Sequence, residues 1–258
     1  MDSSVAGSAM QVGESTLLPV VWSQFNGVDL YARHHSQCRD GDFFDALPVG
    51  QHVLFLLTDI AGLQAREVLS QLQNVFRQKA QELFAGSDVN ESEALAELAH
   101  VFNLALIEAA QGVHFAPTFL GCFNLAHGIL SYCNAGNLLA LVRSEGNVRV
   151  LESSGMSLGL FTHTTFEATV LALQQGDAVL VVTKGVSGSR RGGTEFGVQR
   201  VTRTLRNKTA ASASAICEAV LREAHDFSHH PWSRFLSLFH KTKPCNQDDL
   251  TALALVRR

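Results

Sequence analysis

The chain has 258 residues, 46% of them hydrophobic, and a formal net charge of −4 from Lys+Arg 20 against Asp+Glu 24. That length fits one large domain or two small ones with ample apolar surface for a core, and a single domain is expected. No block of basic residues could neutralise a run of phosphates, which argues against a nucleic-acid partner. The first fifteen residues lack a charged start, an apolar stretch and a cleavage pattern, and no apolar run is long enough to span a bilayer. A soluble, cytoplasmic protein without a membrane partner is therefore expected. The five cysteines (Cys38, Cys122, Cys133, Cys217, Cys245) are scattered and form no C-x-x-C pair, which suits core thiols in a reducing compartment.

In chain order, residues 1–20 are small and polar and read as a loosely ordered arm ahead of a domain over 21–258. Val28–Ala32 alternates like a half-buried strand. His34 and His35 follow it; neighbours on a strand point to opposite faces, so they cannot chelate one ion together, and surface or edge positions are expected. Gly41-Asp42-Phe43-Phe44-Asp45 sets acids among aromatic rings, and a strand there would place Asp42 and Phe44 on one face, Phe43 and Asp45 on the other. The apolar run His52–Leu57 stops on Thr58-Asp59-Ile60-Ala61-Gly62. A buried strand ending on an acid and a glycine exposes that acid for chemistry, although Asp59 could equally be a helix cap.

A helix is expected over about Leu63–Leu83, with Leu69, Leu72, Phe76 and Leu83 on one face and Arg66, Gln73, Arg77 and Gln78 on the other. A second follows Asn90, which stands three residues ahead of Glu93 in a capping-box-like pattern. Strands Phe115–Asn124, Gly128–Asn134, Leu138–Arg143 and Asn147–Glu152 read as one antiparallel meander, with further strands at Thr165–Leu173, Asp177–Thr183 and Leu250–Val256. Ser187–Thr194 reads as a mobile basic loop, Ser212–His225 as a helix, and Phe227–Asn246 as an irregular connection. This order of elements predicts an α+β domain whose sheets carry helices on their outer faces.

The succession Gly41-Asp42-Phe43-Phe44-Asp45, Thr58-Asp59-Ile60-Ala61-Gly62, Asn134-Ala135-Gly136-Asn137, Gly155–Gly159, Gly176-Asp177, Thr183-Lys184-Gly185-Val186, Phe196-Gly197 and Asp248-Asp249-Leu250-Thr251 resembles the SpoIIE-type branch of the metal-dependent (PPM, type 2C) serine/threonine protein phosphatases. The resemblance runs from about Val28 to Val256. It implies a four-layer α-β-β-α sandwich of two antiparallel sheets with helices outside. It also implies two Mg²⁺ or Mn²⁺ ions held by aspartates at one end, and a metal-acidified water that attacks a phosphoserine. Residue by residue, Asp59 matches the acid that bridges both metals, the carbonyl of Ile60 a backbone ligand, Asp248 the acid ending the ligand set, and Asp42 an acid binding directly or through water. These three acids would carry the catalysis.

The fourth acid of the family's pattern is Lys184 here. An ammonium has three donors and no acceptor, and at roughly 4 Å two unit charges interact by about 4 kcal/mol at an effective dielectric of 20. One ion or none is therefore expected. Two histidines of the pattern are also missing, at Leu63 and Asn137. The Lys184 ammonium could instead lie between Asp59 and Asp248 in place of a metal, or be a solvated loop lysine. Three functions remain open: a weakened phosphatase acting on a phosphorylated bacterial regulatory protein of an anti-sigma-like pathway, a pseudophosphatase that binds such a partner, or a scaffold. In the second, Lys184, Arg190 and Arg191 would contact the phosphate.

Overall fold

The computed structural model describes residues 25, 27–35, 41–60, 66–110, 114–229 and 248–258. The expected arm, Cys38, Cys245 and most of the Phe227–Asn246 connection lie outside them. Twelve strands and five helices are described. One sheet contains β2 (Asp42–Val49), β3 (His52–Asp59), β4 (Thr118–Asn124), β5 (Ile129–Ala135) and β8 (Thr169–Ala172), in the order β2-β3-β4-β5-β8. The other contains β1 (Val28–His35), β12 (Leu250–Arg257), β9 (Ala178–Val182), β6 (Leu139–Ser144) and β7 (Asn147–Val150), in the order β1-β12-β9-β6-β7. Every pairing is antiparallel.

Covered on both faces, the central strands are near-continuous apolar runs, as burial on both sides demands. Between the sheets, Phe44, Phe55, Leu57, Phe119 and Tyr132 of the first meet Leu30, Val179, Val181, Leu253 and Leu255 of the second. Gly121 is required there: a Cβ on it would sit 2.3 Å from the Phe55 ring. On the outside of the first sheet, α1 (Arg66–Phe84) and α2 (Glu91–Ala109) contribute Leu72, Phe76, Leu98 and Phe102 against Phe43, Leu54 and Leu56. On the outside of the second, α4 (Gly197–Asn207) and α5 (Ala213–Ser228) contribute Val201, Ile216 and Val220 against Leu180, Val182 and Ala252. The result is the expected helix–sheet–sheet–helix sandwich.

The alternation expected around Asp42 holds. Phe44 packs between the sheets, whereas Phe43 faces α1 and α2. Asp45, fully buried, accepts two bonds from Arg77 at 2.6 and 2.9 Å. Arg77 thus reaches back to tie α1 to β2 and is no mere member of a solvated face.

The single meander is corrected. β4 and β5 pair in one sheet and β6 and β7 in the other, because the chain crosses between sheets at Asn134–Leu138, where Gly136 and Asn137 both take positive φ. The basic loop contains a short hairpin, β10 (Arg190–Arg191) with β11 (Thr194–Glu195), turning on Gly192 and Gly193 at positive φ. Helix α4 was not expected; its β-branched residues and opening glycine hid a three-residue repeat of apolar and arginine positions. Asn90 caps α2 as its spacing implies, accepting the Glu93 N–H at 3.4 Å. Cys122, Cys133 and Cys217 are buried free thiols, each pushed up by burial and so poor nucleophiles. No described helix is long and apolar enough to cross a membrane.

Candidate functional site

The acids singled out by the sequence meet at one end of the sandwich because strand ends from both sheets converge there. Asp42 opens β2 and Asp59 closes β3, and antiparallel register makes them cross-strand partners. From the other sheet, Thr183 follows β9, and Asp248, Asp249 and Thr251 stand at the start of β12. The Thr183 N–H donates to the Thr251 carbonyl at 3.0 Å, and the Thr251 N–H to the Thr183 hydroxyl at 3.2 Å.

Asp42 joins the two sheets. Only 5% exposed, its Oδ2 accepts the Thr183 hydroxyl at 3.0 Å and also the Thr251 hydroxyl. A hydroxyl has one proton to give. With the Thr251 proton on Asp42, its oxygen accepts from His34 Nδ1 at 2.9 Å, which leaves His34 Nε2 facing Asp249 Oδ2 at 4.0 Å. His34 lies on an edge strand, yet its side chain is only 10% exposed. The edge position is the one expected, but its side chain belongs to this network and not to the solvent. His35, on the opposite face, accepts from Arg33 Nε at 3.2 Å.

The electrostatics are those of crowded acids. Burial first, then the Asp59 charge, holds the Asp42 carboxyl well above the usual range, partly offset by the two hydroxyls. Asp59 is raised by burial, then by Asp248 and Asp249, while the Lys184 ammonium pulls it back. Asp42, Asp59, Asp248 and Lys184 therefore form one interacting group.

Lys184 opens a four-residue helix, α3 (Lys184–Ser187). Thr183 sits at its N-cap position but makes no capping bond with its side chain, which serves Asp42. Gly185 lets this turn lie against β12: a Cβ on it would fall 1.9 Å from the Asp249 carbonyl oxygen. On the other side, the Ile60 N–H donates to Gly41 at 2.8 Å, and its carbonyl oxygen packs so close to Gly41 that a Cβ there would lie 2.5 Å away. Asp59 donates its N–H to the Pro117 carbonyl at 3.0 Å, so its backbone is pinned as the sequence implies.

Arg190 and Arg191 stand apart. Both are exposed on the β10–β11 hairpin, and Arg190 is forked onto Glu195 at 2.6 and 3.2 Å. Thr183, Thr251, Asp249 and His34 complete the network without having been assigned roles from the sequence. Three lie inside the quoted motifs; His34 gave no signal beyond its identity.

This donor set does not fit a pair of divalent ions. Hard cations require several free oxygen donors, whereas the exposed Lys184 ammonium already acts on Asp59 and one Asp42 oxygen is taken by two hydroxyls. Among the described residues, no three His, Cys, Asp or Glu side chains are grouped to hold a metal.

Solved structures place the architecture. The RsbU and RsbW domains of a Mycobacterium tuberculosis protein superpose with a TM-score of 0.68 at 24% identity, covering 90% of this chain and 60% of that one. The SiaA PP2C domain of Pseudomonas aeruginosa superposes with a TM-score of 0.68 at 16% identity, covering 89% of this chain and 85% of that one. The fold is thus that of the PP2C-type phosphatases. Protein IcfG of Synechocystis sp. is 27% identical over 188 residues, which are 64% of this chain but 30% of IcfG. The family model for Stage II sporulation protein E (SpoIIE) matches residues 50–258, and the chain belongs to the SpoIIE family.

Proposed function

We propose that this chain is a SpoIIE-type domain that binds a phosphorylated regulatory protein of an anti-sigma-like pathway and whose own hydrolysis is weak or lost. One observation carries the reading: the Lys184 ammonium acts on Asp59, at the position where the family's pattern has a metal-ligating aspartate. The exposed Lys184 cation offsets part of the repulsion that Asp248 and Asp249 exert on Asp59, a task the phosphatases of the family give to metal ions. Mg²⁺ or Mn²⁺ would then bind through Asp42, Asp59, the Ile60 carbonyl and Asp248 only weakly, one ion at most.

Lys184 is exposed and can offer a point charge to a phosphoryl group, and Arg191 in the adjoining hairpin a planar fork. Arg190 is left out because Glu195 holds its fork. Support for a regulatory protein partner comes from the company of the fold, which includes an RsbU domain joined to an RsbW domain and the SiaA phosphatase domain. Localisation in the cytoplasm belongs to the same reading.

The test is hydrolysis of p-nitrophenyl phosphate with Mn²⁺ by the natural chain and by Lys184→Asp. The natural chain should be slow, and the variant faster by at least about tenfold, with calorimetric Mn²⁺ binding tighter than that of the natural chain. Brisk metal-dependent turnover by the natural chain would overturn the proposal.

A further inference from the structure

Charge is segregated along this chain. Residues 190–208 hold six of its 20 Lys and Arg and one of its 24 Asp and Glu, a local net of +5 in a protein of net −4. The fold turns this stretch into a surface. The β10–β11 hairpin leads directly into α4, and Arg200 secures the junction by donating to the carbonyls of Glu195 and Phe196, both at 2.9 Å, while its guanidinium lies 4.5 Å from the centre of the Phe227 ring.

Arg200 is therefore structural, and so is Arg190 on Glu195. Arg203 and Arg206 are not. Val201, Thr204 and Leu205 turn inward onto the sheet and α5, which leaves Gln199, Arg203 and Arg206 exposed on the opposite face of α4, beside Val198 at 46% exposure. Among the described residues, neither Arg203, Arg206 nor Arg191 makes an ion pair or a side-chain hydrogen bond. Helix α4 carries no acid that could pair with them. Arg206, in the last turn, suits the negative end of the helix. Arg203, mid-helix, and Arg191, in the hairpin, have no such reason to be cationic.

We infer that the exposed face of α4, with Arg203 and Arg206, docks an acidic segment of the partner protein. The inference rests on the reading that the chain works by binding a regulatory protein, and it adds a second contact outside the cleft. Complementary charge of this kind speeds encounter and fixes register. A protein segment suits the ridge better than a nucleic acid does. Helix α4 has 11 residues and spans about 16 Å. A long polyanion would extend past it onto a protein of net negative charge, whereas a short acidic segment meets only the local +5. The site also differs from the cleft in kind, offering cations and one apolar side chain where the cleft crowds acids.

The experiment is fluorescence anisotropy of a labelled ten-residue glutamate peptide titrated with the full chain at low and high salt, with a 20-base-pair DNA duplex in parallel. The peptide should bind more tightly than the duplex and weaken as salt screens the contact. Arg203→Glu with Arg206→Glu should weaken peptide binding by about tenfold or more, while Lys79→Glu, on α1 across the sandwich, leaves it unchanged. Circular dichroism checks the fold, and single Arg203→Gln and Arg206→Gln variants, each expected to lose severalfold, decide the matter if the double variant does not fold. Unchanged binding in the arginine variants, or tighter binding of the duplex, overturns the inference. The Mn²⁺ hydrolysis assay is separate: brisk turnover would sink the functional reading and leave the ridge result standing, and loss of the ridge would leave the cleft result standing.

Discussion

Replacing Asp42 by Asn asks whether the acid joining the two sheets is held as a neutral group. Asp42 is 5% exposed, accepts the Thr183 hydroxyl at 3.0 Å and the Thr251 hydroxyl, and has Asp59 as its cross-strand partner. Burial and then Asp59 raise its folded-state pKa well above the ordinary value. The sign follows: a carboxyl raised on folding favours the protonated form. Its stabilising contribution is complete below its unfolded pKa of about 3.9 and is lost as pH rises toward the folded-state value. Each unit of elevation costs about 1.4 kcal/mol at neutral pH. Asn keeps the shape and one acceptor oxygen and cannot ionise, but it brings buried N–H groups that cost about 1–3 kcal/mol if unpaired. The variant therefore starts with a constant handicap and gains on the natural chain as pH rises, by at most about 1.4 kcal/mol per pH unit. Urea unfolding from pH 4.5 to 8.5, in EDTA so that no divalent ion stabilises the anion, measures that difference. A difference that stays constant with pH would refute the neutral-acid argument.

Two further outcomes follow from the packing. In Gly185→Ala the new Cβ would lie 1.9 Å from the Asp249 carbonyl oxygen and 2.9 Å from its carbon, so the Lys184 turn must move away from β12. A loss of about 1–3 kcal/mol in urea unfolding is expected, whereas Gly86→Ala, whose Cβ would meet only Val89 at 3.6 Å, should stay within about 0.5 kcal/mol. Asn103, fully buried on α2, accepts the Gly159 N–H at 2.8 Å and donates to the Phe161 carbonyl at 3.0 Å. Asn103→Ala should cost about 1–3 kcal/mol and speed hydrogen exchange at the Gly159 amide, and an unchanged exchange rate would show that the side chain does not hold that loop.

Local patterns made much of this protein legible. The buried run ending on Asp59, the alternation through Asp42–Asp45, the Asn90 cap and the acids opening β12 are each decided by neighbours a few residues away, and the structure has them as the sequence implies. The lysine at position 184 is likewise plain in the chain. The exchange of sheets between β5 and β6 was not legible, because strand periodicity says which residues face inward and is silent on which sheet receives them. Nor could spacing show that Thr183 and Thr251 meet at Asp42, 141 and 209 positions away, which happens only when the two sheets close on each other, or that β1–β12 pairing sets His34 against Thr251, 217 positions on. Packing of α4 on the outer face of the second sheet likewise leaves Arg203 and Arg206 together on one exposed helix face, because the apolar side of α4 must be buried. Sequence alone thus determined the family pattern and the lysine that stands at position 184. Only the tertiary structure decided what surrounds the remaining acids, because long-range packing sets their burial and their neighbours.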